Sequence, residues 1–375
     1  MARVTILGAG DMGTALATPL AANGHDVRLW GTHLDREIVG LLQGGGPHPR
    51  LKTPLPAGVR VFADGEAGAA LAGAEIAVVA VTSSAVRSVI APLASRLAGV
   101  GTLLTVAKGF ERGPDGQVLL LPDVLRRHHT GPVVAVGGPS KANEVAAGQP
   151  TAVVFAGEDA AAVARCRDAF ATESYHVESS ADPVGVEVAA AMKNAYAVAL
   201  GVADGLERRT GRPHHNLKAA LFPRAVAEMG ALAAALGGQA TTVAGLAGAG
   251  DLQVTITSGR NRLLGERIGG GEAAAAAAAA LAGGGTTIEG YAAAAFGHEL
   301  ATAAVASGRA APGTFPVLDA LHAVLYRAAP PEETLWAAVR GTGVPALAAV
   351  PARGMAGDGS TPAAGSRRAV NAGPA

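Results

Sequence analysis

Residues 4–13, Val-Thr-Ile-Leu-Gly-Ala-Gly-Asp-Met-Gly, decide how the rest of the chain is read. Val4–Leu7 is a short apolar run, the pattern of a buried strand. Gly8, Gly10 and Gly13 follow in G-x-G-x-x-G spacing, with the loop residues Asp11 and Met12 between the last two. From Thr14 to Ala22 the pattern turns helical. A strand entering a helix through such a loop is built to bind a dinucleotide. The glycines allow a tight turn and close approach to a pyrophosphate, and the helix N-terminus adds N–H groups and positive potential. A chance match competes with this reading in a chain of 52 glycines. The strand before the loop and the helix after it decide against chance.

Working outward, a second strand is expected at Asp26–Trp30, and others at Val59–Phe62, Ile76–Val81, Thr102–Val106, Val133–Val136 and Ala152–Phe155. Helical segments separate most of them, which predicts a parallel, doubly wound α/β sheet of Rossmann type. Gly44–Pro56 reads as a Gly/Pro-rich loop. An NAD site would place an acid at the end of the second strand to hold the ribose. Trp30-Gly31-Thr32-His33 carries none, and Asp35 falls late for that role. Thr32, His33 and Arg36 could instead accommodate a 2′-phosphate, which tilts the expectation toward NADPH over NADH. A plain turn that accepts either cofactor is the alternative.

After about Asp182 the pattern changes. Glu187–Leu206, Asn216–Leu236 and Asn261–Ile268 read as helices, with more between Glu272 and Arg340. The expected organisation is a dinucleotide-binding domain over residues 1–183, an all-α C-terminal domain over 184–350, and a disordered Gly/Pro/Ser/Arg-rich tail over 351–375.

The chain has 375 residues, 49% of them hydrophobic, and no formal net charge. That length suits two domains with ample core. Neutrality argues against nucleic acid or a polybasic membrane surface as partner. One cysteine, Cys166, forbids an intrachain disulfide and a cysteine zinc site, and fits a reducing cytoplasm. The ten histidines show no metal-ligand spacing, and the pairs His128-His129 and His214-His215 read as solvated turns. The N-terminus runs straight into a strand, unlike a signal peptide. No apolar run approaches the roughly 20 residues of a membrane span. The alanine run 273–280 reads as one weakly amphipathic helix.

Lysine usage is informative. Of 30 basic residues only Lys52, Lys108, Lys141, Lys193 and Lys218 are lysine. In an arginine-favouring chain, lysine should persist where arginine cannot serve, as in losing a proton when desolvated. Lys193 and Asn194 sit inside Ala-Ala-Ala-Met-Lys-Asn-Ala-Tyr-Ala-Val-Ala-Leu, an apolar helix. A buried lysine must be paired, neutralised or functional.

Other polar segments stand out from their alanine-rich surroundings. They are Val106-Ala107-Lys108-Gly109, Gly137-Gly138-Pro139-Ser140-Lys141-Ala142-Asn143-Glu144, Gly248-Ala249-Gly250-Asp251-Leu252, Ser258-Gly259-Arg260-Asn261-Arg262 and Ile288-Glu289-Gly290. In order and content, over about residues 3–340, they resemble the NAD(P)-dependent glycerol-3-phosphate dehydrogenase family. The stretch Gly-Thr-His-Leu-Asp-Arg-Glu-Ile and the short Asp251-to-Arg260 spacing look like its divergent, archaeal-type branch.

The resemblance implies reversible hydride transfer between NAD(P)H and dihydroxyacetone phosphate, giving sn-glycerol 3-phosphate for glycerophospholipid synthesis in the cytoplasm. It implies no metal, and a homodimer through the helical domain. Lys193 matches the general acid/base, and Asp251 would orient it and a substrate hydroxyl. Lys108, at a strand end, would lie between cofactor and substrate. Asn194, Gly138 and Ser140 match substrate-site positions, and Thr255 could donate to a hydroxyl or phosphate oxygen. Arg260 and Asn261 match a phosphate-binding pair; Arg260 is counted with the cofactor site too. Ala142 and Glu289 match cofactor contacts.

Bland readings stand beside these. Lys193 could simply pair with Glu187 or Asp251. Asp251 could cap a helix, Thr255 could bond back to its own helix, and Lys108 and Arg260 could be solvated. Glu289 could be a cap or salt-bridge partner. Arg262 and Lys52 read as surface residues, and Lys141 and Lys218 receive no chemistry. The sequence departs from the family pattern at Met12, where many members carry an aromatic, and at Gly137 and Gly259, where serine is usual. A β-hydroxyacid or ketopantoate-type reductase and a non-catalytic NADPH sensor are the alternatives. The first lacks the Gly-Asp-Leu…Arg-Asn arrangement; the second is expected to have lost Lys193 or Asp251.

Overall fold

A computed structural model of the chain describes residues 1–283 and 288–341. The tail expected over 351–375 and the last residues of the expected helical domain lie outside the described residues. The strands are β1 (Arg3–Leu7), β2 (Asp26–Trp30), β3 (Arg60–Phe62), β4 (Ile76–Val79), β5 (Thr102–Thr105), β6 (Phe110–Arg112), β7 (Val118–Leu120), β8 (Val133–Gly137), β9 (Thr151–Ala156) and β10 (Tyr175–Ser180). Eight form one sheet in the order β10-β9-β8-β5-β4-β1-β2-β3, and β6 pairs with β7 as a separate hairpin. The chain winds outward from β1 to β3, then returns to the other flank of β1 as β4. That reversal opens a crevice above the C-terminal ends of β1 and β4, where sheets of this kind bind ligands.

The expectation of a wholly parallel sheet needs one correction. β9 runs antiparallel to β8, while the other neighbours are parallel. After β8 the chain makes only the short helix Ala142–Ala146 before β9. That segment turns back at the same edge of the sheet, and a same-edge return makes an antiparallel neighbour. The sequence pattern also missed three strands. β6 and β7 are three residues each, and β10 is an edge strand whose polar positions alternate outward.

The helix Pro183–Thr210 is the centre of the second half. Asp182 caps its start by accepting from Gly185 N at 2.9 Å, Pro183 occupies the first turn, and Gly211 ends it in the left-handed region at φ 67°. These are the residue types each position favours. By length and composition this helix is apolar enough to cross a membrane, contrary to the sequence reading, yet its most apolar window is wholly buried within the protein. It packs on the helices His215–Ala235, Arg260–Gly269 and Glu289–Ala306 and on the sheet end at β8. One apolar core runs continuously from Ala135, Val154 and Ala156 of the sheet through this helix to Leu318 and Leu335. Two further clusters cover the two faces of the sheet.

Glycine spacing sets how closely the helices approach. A Cβ added at Gly201 or Gly205 would lie 2.2 or 2.0 Å from the carbonyl oxygens of Arg262 and Glu266. In the partner helix, a Cβ at Gly265 or Gly269 would lie 1.9 or 2.2 Å from those of Val198 and Val202. Each helix thus lays a four-spaced glycine pair against the other's backbone, the arrangement in which Cα–H groups meet carbonyls. The crossing fixes Lys193-Asn194 relative to Arg260-Asn261.

Candidate active site

A cleft of about 500 Å³ runs from the glycine loop, past the ends of β4, β5 and β8, to the helical half. Each loop glycine has a distinct job. Gly8, at φ 116°, makes the turn against the Ala80 carbonyl. A Cβ at Gly13 would lie 2.0 Å from the Gly8 oxygen, so the helix Asp11–Ala22 packs tightly on the turn. A Cβ at Gly10 would meet nothing within 4 Å; it would project into the cleft, at a helix start that has no side-chain cap. This open cradle beside uncapped N–H groups fits a dinucleotide pyrophosphate. Asp11 would repel that anion, but Arg50 Nε donates to its carboxylate at 2.6 Å. Met12 and Ala142 also line the cleft.

The end of β2 differs from the sequence expectation. Asp35 folds back onto the glycine loop instead: its Oδ2 accepts from Ala9 N at 3.2 Å, Thr32 N at 2.9 Å and Thr32 Oγ1 at 2.8 Å. Thr32 is buried, and its hydroxyl is taken up by Asp35 and by Leu34 N. It is therefore engaged within the protein, while His33 is exposed beside it. Arg36, also exposed, pairs with Asp64.

On the cleft floor, Asp251 joins the two halves. It follows a π-helical turn at Leu246–Gly250 and is 1% exposed. Its Oδ1 accepts from Lys193 Nζ and its Oδ2 from Lys108 Nζ, each at 2.6 Å. Lys108 also donates to the Gly138 carbonyl at 3.1 Å. Gly138 acts through that oxygen, in a turn at φ 110°, and Ser140 lines the cleft just beyond. Lys193 donates a second bond to Thr255 Oγ1 at 2.9 Å, and Thr255 gives its own proton to the Asp251 carbonyl at 2.6 Å. The back-bonding reading of Thr255 therefore holds in this structure. With its proton so placed, it orients Lys193.

Burial pushes Lys193 down to about 8; the Asp251 carboxylate opposes that shift and the Lys108 ammonium adds to it. The result is an ammonium able to release its proton near neutrality. Glu289 lines the same cleft and is raised by burial, against the pull of Lys193 and Arg260. Asn194 Nδ2 donates to Glu289 Oε2 at 3.3 Å, and Asn194 Oδ1 accepts from Asn261 Nδ2 at 2.9 Å. Asn261 Oδ1 in turn accepts from Gly290 N. Asn261 thus ties three helices together, while Arg260 points into the cleft.

Several residues were misread or missed. Arg262 is not a surface arginine: its Nη1 lies 2.9 Å from both Asp204 and Glu266. Lys218 holds Asp204 from the neighbouring helix. His129 is buried, its Nδ1 3.2 Å from the Leu97 carbonyl, and His214 is mostly covered beside Glu332. Lys141 lines the cleft. The two glycine departures have steric causes. A Cβ at Gly137 would meet Ala247 and Val186 at 2.9 Å, and one at Gly259 would lie 2.2 Å from the Thr255 carbonyl. Glu187 is fully buried, faces the backbone of Gly109 and Leu121 without a well-formed hydrogen bond among the described residues, and does not pair with Lys193. Among the described residues, no cluster of His, Cys, Asp or Glu is placed to hold a metal ion.

A doubly wound sheet with an open glycine cradle, joined by a cleft to a buried Lys–Asp–Lys cluster, defines a nicotinamide-dinucleotide-dependent oxidoreductase. The particular family follows from comparison. Residues 3–163 match the model of the NAD-dependent glycerol-3-phosphate dehydrogenase N-terminus and residues 182–336 that of its C-terminus. The chain belongs to this family. It is 35% identical over 337 residues to the NADP(+)-dependent glycerol-3-phosphate dehydrogenase of Archaeoglobus fulgidus, covering 89% of this chain and 98% of the relative. It is 39% identical over 267 residues to the glycerol-3-phosphate dehydrogenase [NAD(P)+] of Geobacillus kaustophilus, covering 70% and 74%. The crystal structure of glycerol-3-phosphate dehydrogenase from Coxiella burnetii superposes with a TM-score of 0.76 at 30% identity, over 91% of this chain and 99% of that one.

Proposed function

We propose that this chain reduces dihydroxyacetone phosphate reversibly to sn-glycerol 3-phosphate, with Lys193 as general acid/base. The observation that carries the reading is the single carboxylate of Asp251 held at 2.6 Å by both Lys193 and Lys108, in the cleft that begins at Gly10. The cradle of Gly8, Gly10 and Gly13 would hold the nicotinamide dinucleotide, which when bound would supply the hydride. The residues of the chain handle charge and position. Lys193 gives its proton to the carbonyl oxygen as negative charge builds there, and takes it back in the oxidation direction. Its ammonium stabilises that oxyanion beforehand. Asp251 and Thr255 aim the ammonium; Lys108 lies within reach of the same carboxylate and adds positive potential. Asn194, fixed by Glu289 and Asn261, presents its amide beside Lys193. Arg260 takes the phosphate, for which a guanidinium fork is suited.

Residues 1–183 form the cofactor-binding domain in this reading, and the helices after them the substrate domain. A cytoplasmic enzyme, acting as a homodimer and supplying glycerol phosphate for phospholipids, belongs to the same reading. The cofactor is NADPH or NADH. Asp35 turns one oxygen in to the loop donors, and the exposed His33 and Arg36, the latter beside Asp64, lie at the ribose end, which favours NADPH. The test is to follow the absorbance of each reduced cofactor with purified protein and dihydroxyacetone phosphate. Turnover with NADPH, lost in a folded Lys193→Ala variant that still binds NADPH, is expected. Cofactor binding without turnover of this triose would sink the substrate assignment.

A further inference from the structure

The charges lining the cleft do not balance evenly. Arg50 has Asp11 at 2.6 Å, and Lys108 and Lys193 share Asp251 at 2.6 Å each. Two cations are left under-neutralised. Arg260 lines the cleft and among the described residues has no carboxylate within salt-bridge reach; Glu289, the other cleft acid, acts on it only at longer range. Among the described residues Lys141 has only Glu144 as an acidic partner, three residues on and 3.5 Å away, on an outward-facing turn. These two cations are brought together from opposite halves of the molecule. Lys141 starts the short helix after β8, and its Nζ donates to Ser258 Oγ at 2.8 Å. Ser258 is the last residue of the helix Asp251–Ser258, and only Gly259 separates it from Arg260. Gly259 is held tight under the Thr255 carbonyl, so Ser258 and Arg260 keep a fixed spacing.

We propose that Lys141 is a second phosphate-binding residue of this cleft, gripping from the sheet side the phosphate monoester that Arg260 takes from the helical side. An ammonium has three N–H donors, and Ser258 occupies one. A phosphate monoester carries roughly −1.5 to −2 charges at pH 7, which matches one guanidinium plus one ammonium better than either alone. Bound there, the ester ties the two walls of the cleft together, so that substrate itself closes the site over Lys193. This rests on the reading of the substrate as a triose phosphate. The pyrophosphate of the cofactor offers the same chemistry from a second source.

Lys141→Met and Lys141→Arg distinguish these. For each variant we would measure KM for dihydroxyacetone phosphate, Kd for NADPH by fluorescence titration, and the stabilisation of the NADPH complex by inorganic phosphate in thermal unfolding. The expected result for Lys141→Met is a KM about tenfold higher, as loss of one charge-assisted bond implies. The loss would be carried by KM rather than kcat, and stabilisation by phosphate would weaken in parallel. Lys141→Arg should restore most of both. An unchanged KM together with unchanged phosphate stabilisation would overturn the proposal. A rise confined to the Kd for NADPH would overturn it too, by moving Lys141 to a cofactor phosphate. The phosphate titration needs no turnover. If wild-type protein fails to reduce the triose, the substrate reading fails alone, and loss of phosphate stabilisation in Lys141→Met still supports the second cation.

Discussion

Replacing Gly265 by alanine tests whether helix spacing governs catalysis. The new Cβ would lie 1.9 Å from the Val198 carbonyl oxygen and 2.9 Å from Val202 N. Ordinary van der Waals contact begins near 3.4 Å. The Arg260 helix must therefore back away from the Lys193 helix by about 1.5 Å at that point, because both obstructing atoms are backbone. Overpacking of this kind costs about 1–3 kcal/mol of stability. The functional cost should be larger. A misplacement of about 1 Å can lower a rate on the order of 100-fold, and this one separates Arg260 and Asn261 from Lys193 and Asn194. The glycine loop sits in the other half and is not moved. The expected outcome is a fall in kcat/KM for dihydroxyacetone phosphate on the order of 100-fold, with NADPH affinity within about twofold, read by steady-state kinetics and fluorescence titration. Gly40→Ala is the control: a Cβ there meets nothing within 4 Å on an exposed helix, so it should leave activity intact. A Gly265→Ala enzyme of wild-type kcat/KM would refute the reasoning.

Two further perturbations probe other parts of the account. Burial pushes the Glu187 carboxyl up to about 8, against an opposing pull from Lys108. A carboxyl raised in the folded state contributes stability that is full below its ordinary value of 4.5 and is lost as pH rises through about 8. Glu187→Gln should therefore show a flatter denaturation midpoint between those pH values than wild type; identical slopes would contradict the burial argument. Asp35→Asn weakens the acceptor that holds Ala9 N and Thr32. It should raise the Kd for NADPH by about tenfold while sparing the KM for the triose. A change in the triose KM instead would mean that Asp35 does not act through the glycine loop.

The features legible in the sequence are those carried by local spacing. Gly8, Gly10 and Gly13 after an apolar strand announced the cradle, and Asp182-Pro183 and Gly211 bracket the helix that carries Lys193 within a few residues of where periodicity placed it. Features that depend on side chains meeting through space were not legible. Asp35 reads only as late for the ribose, since distance along the chain says nothing of a carboxylate that folds back onto the loop. Arg262 reads as a surface residue and Lys141 receives no chemistry because their partners, Asp204 and Ser258, lie 58 and 117 residues away. The glycine pairs on the two helices are visible as residues, but their meaning appears only once the helices cross. Gly137 and Gly259 looked like losses of a hydroxyl; the structure shows no room for a side chain at either.

The central claim is that the proton reaching the substrate oxygen comes from Lys193, and the pH dependence of kcat/KM in both directions tests it most directly. With Lys193 lowered by burial to about 8, reduction of the triose needs the ammonium and should fall as pH rises above about 8. Oxidation of sn-glycerol 3-phosphate needs the free amine and should fall as pH drops below the same value. The account predicts these opposite limbs, mirrored about one pH. Limbs of the same sign in both directions, or mirrored limbs that persist unchanged in Lys193→Ala, would contradict it.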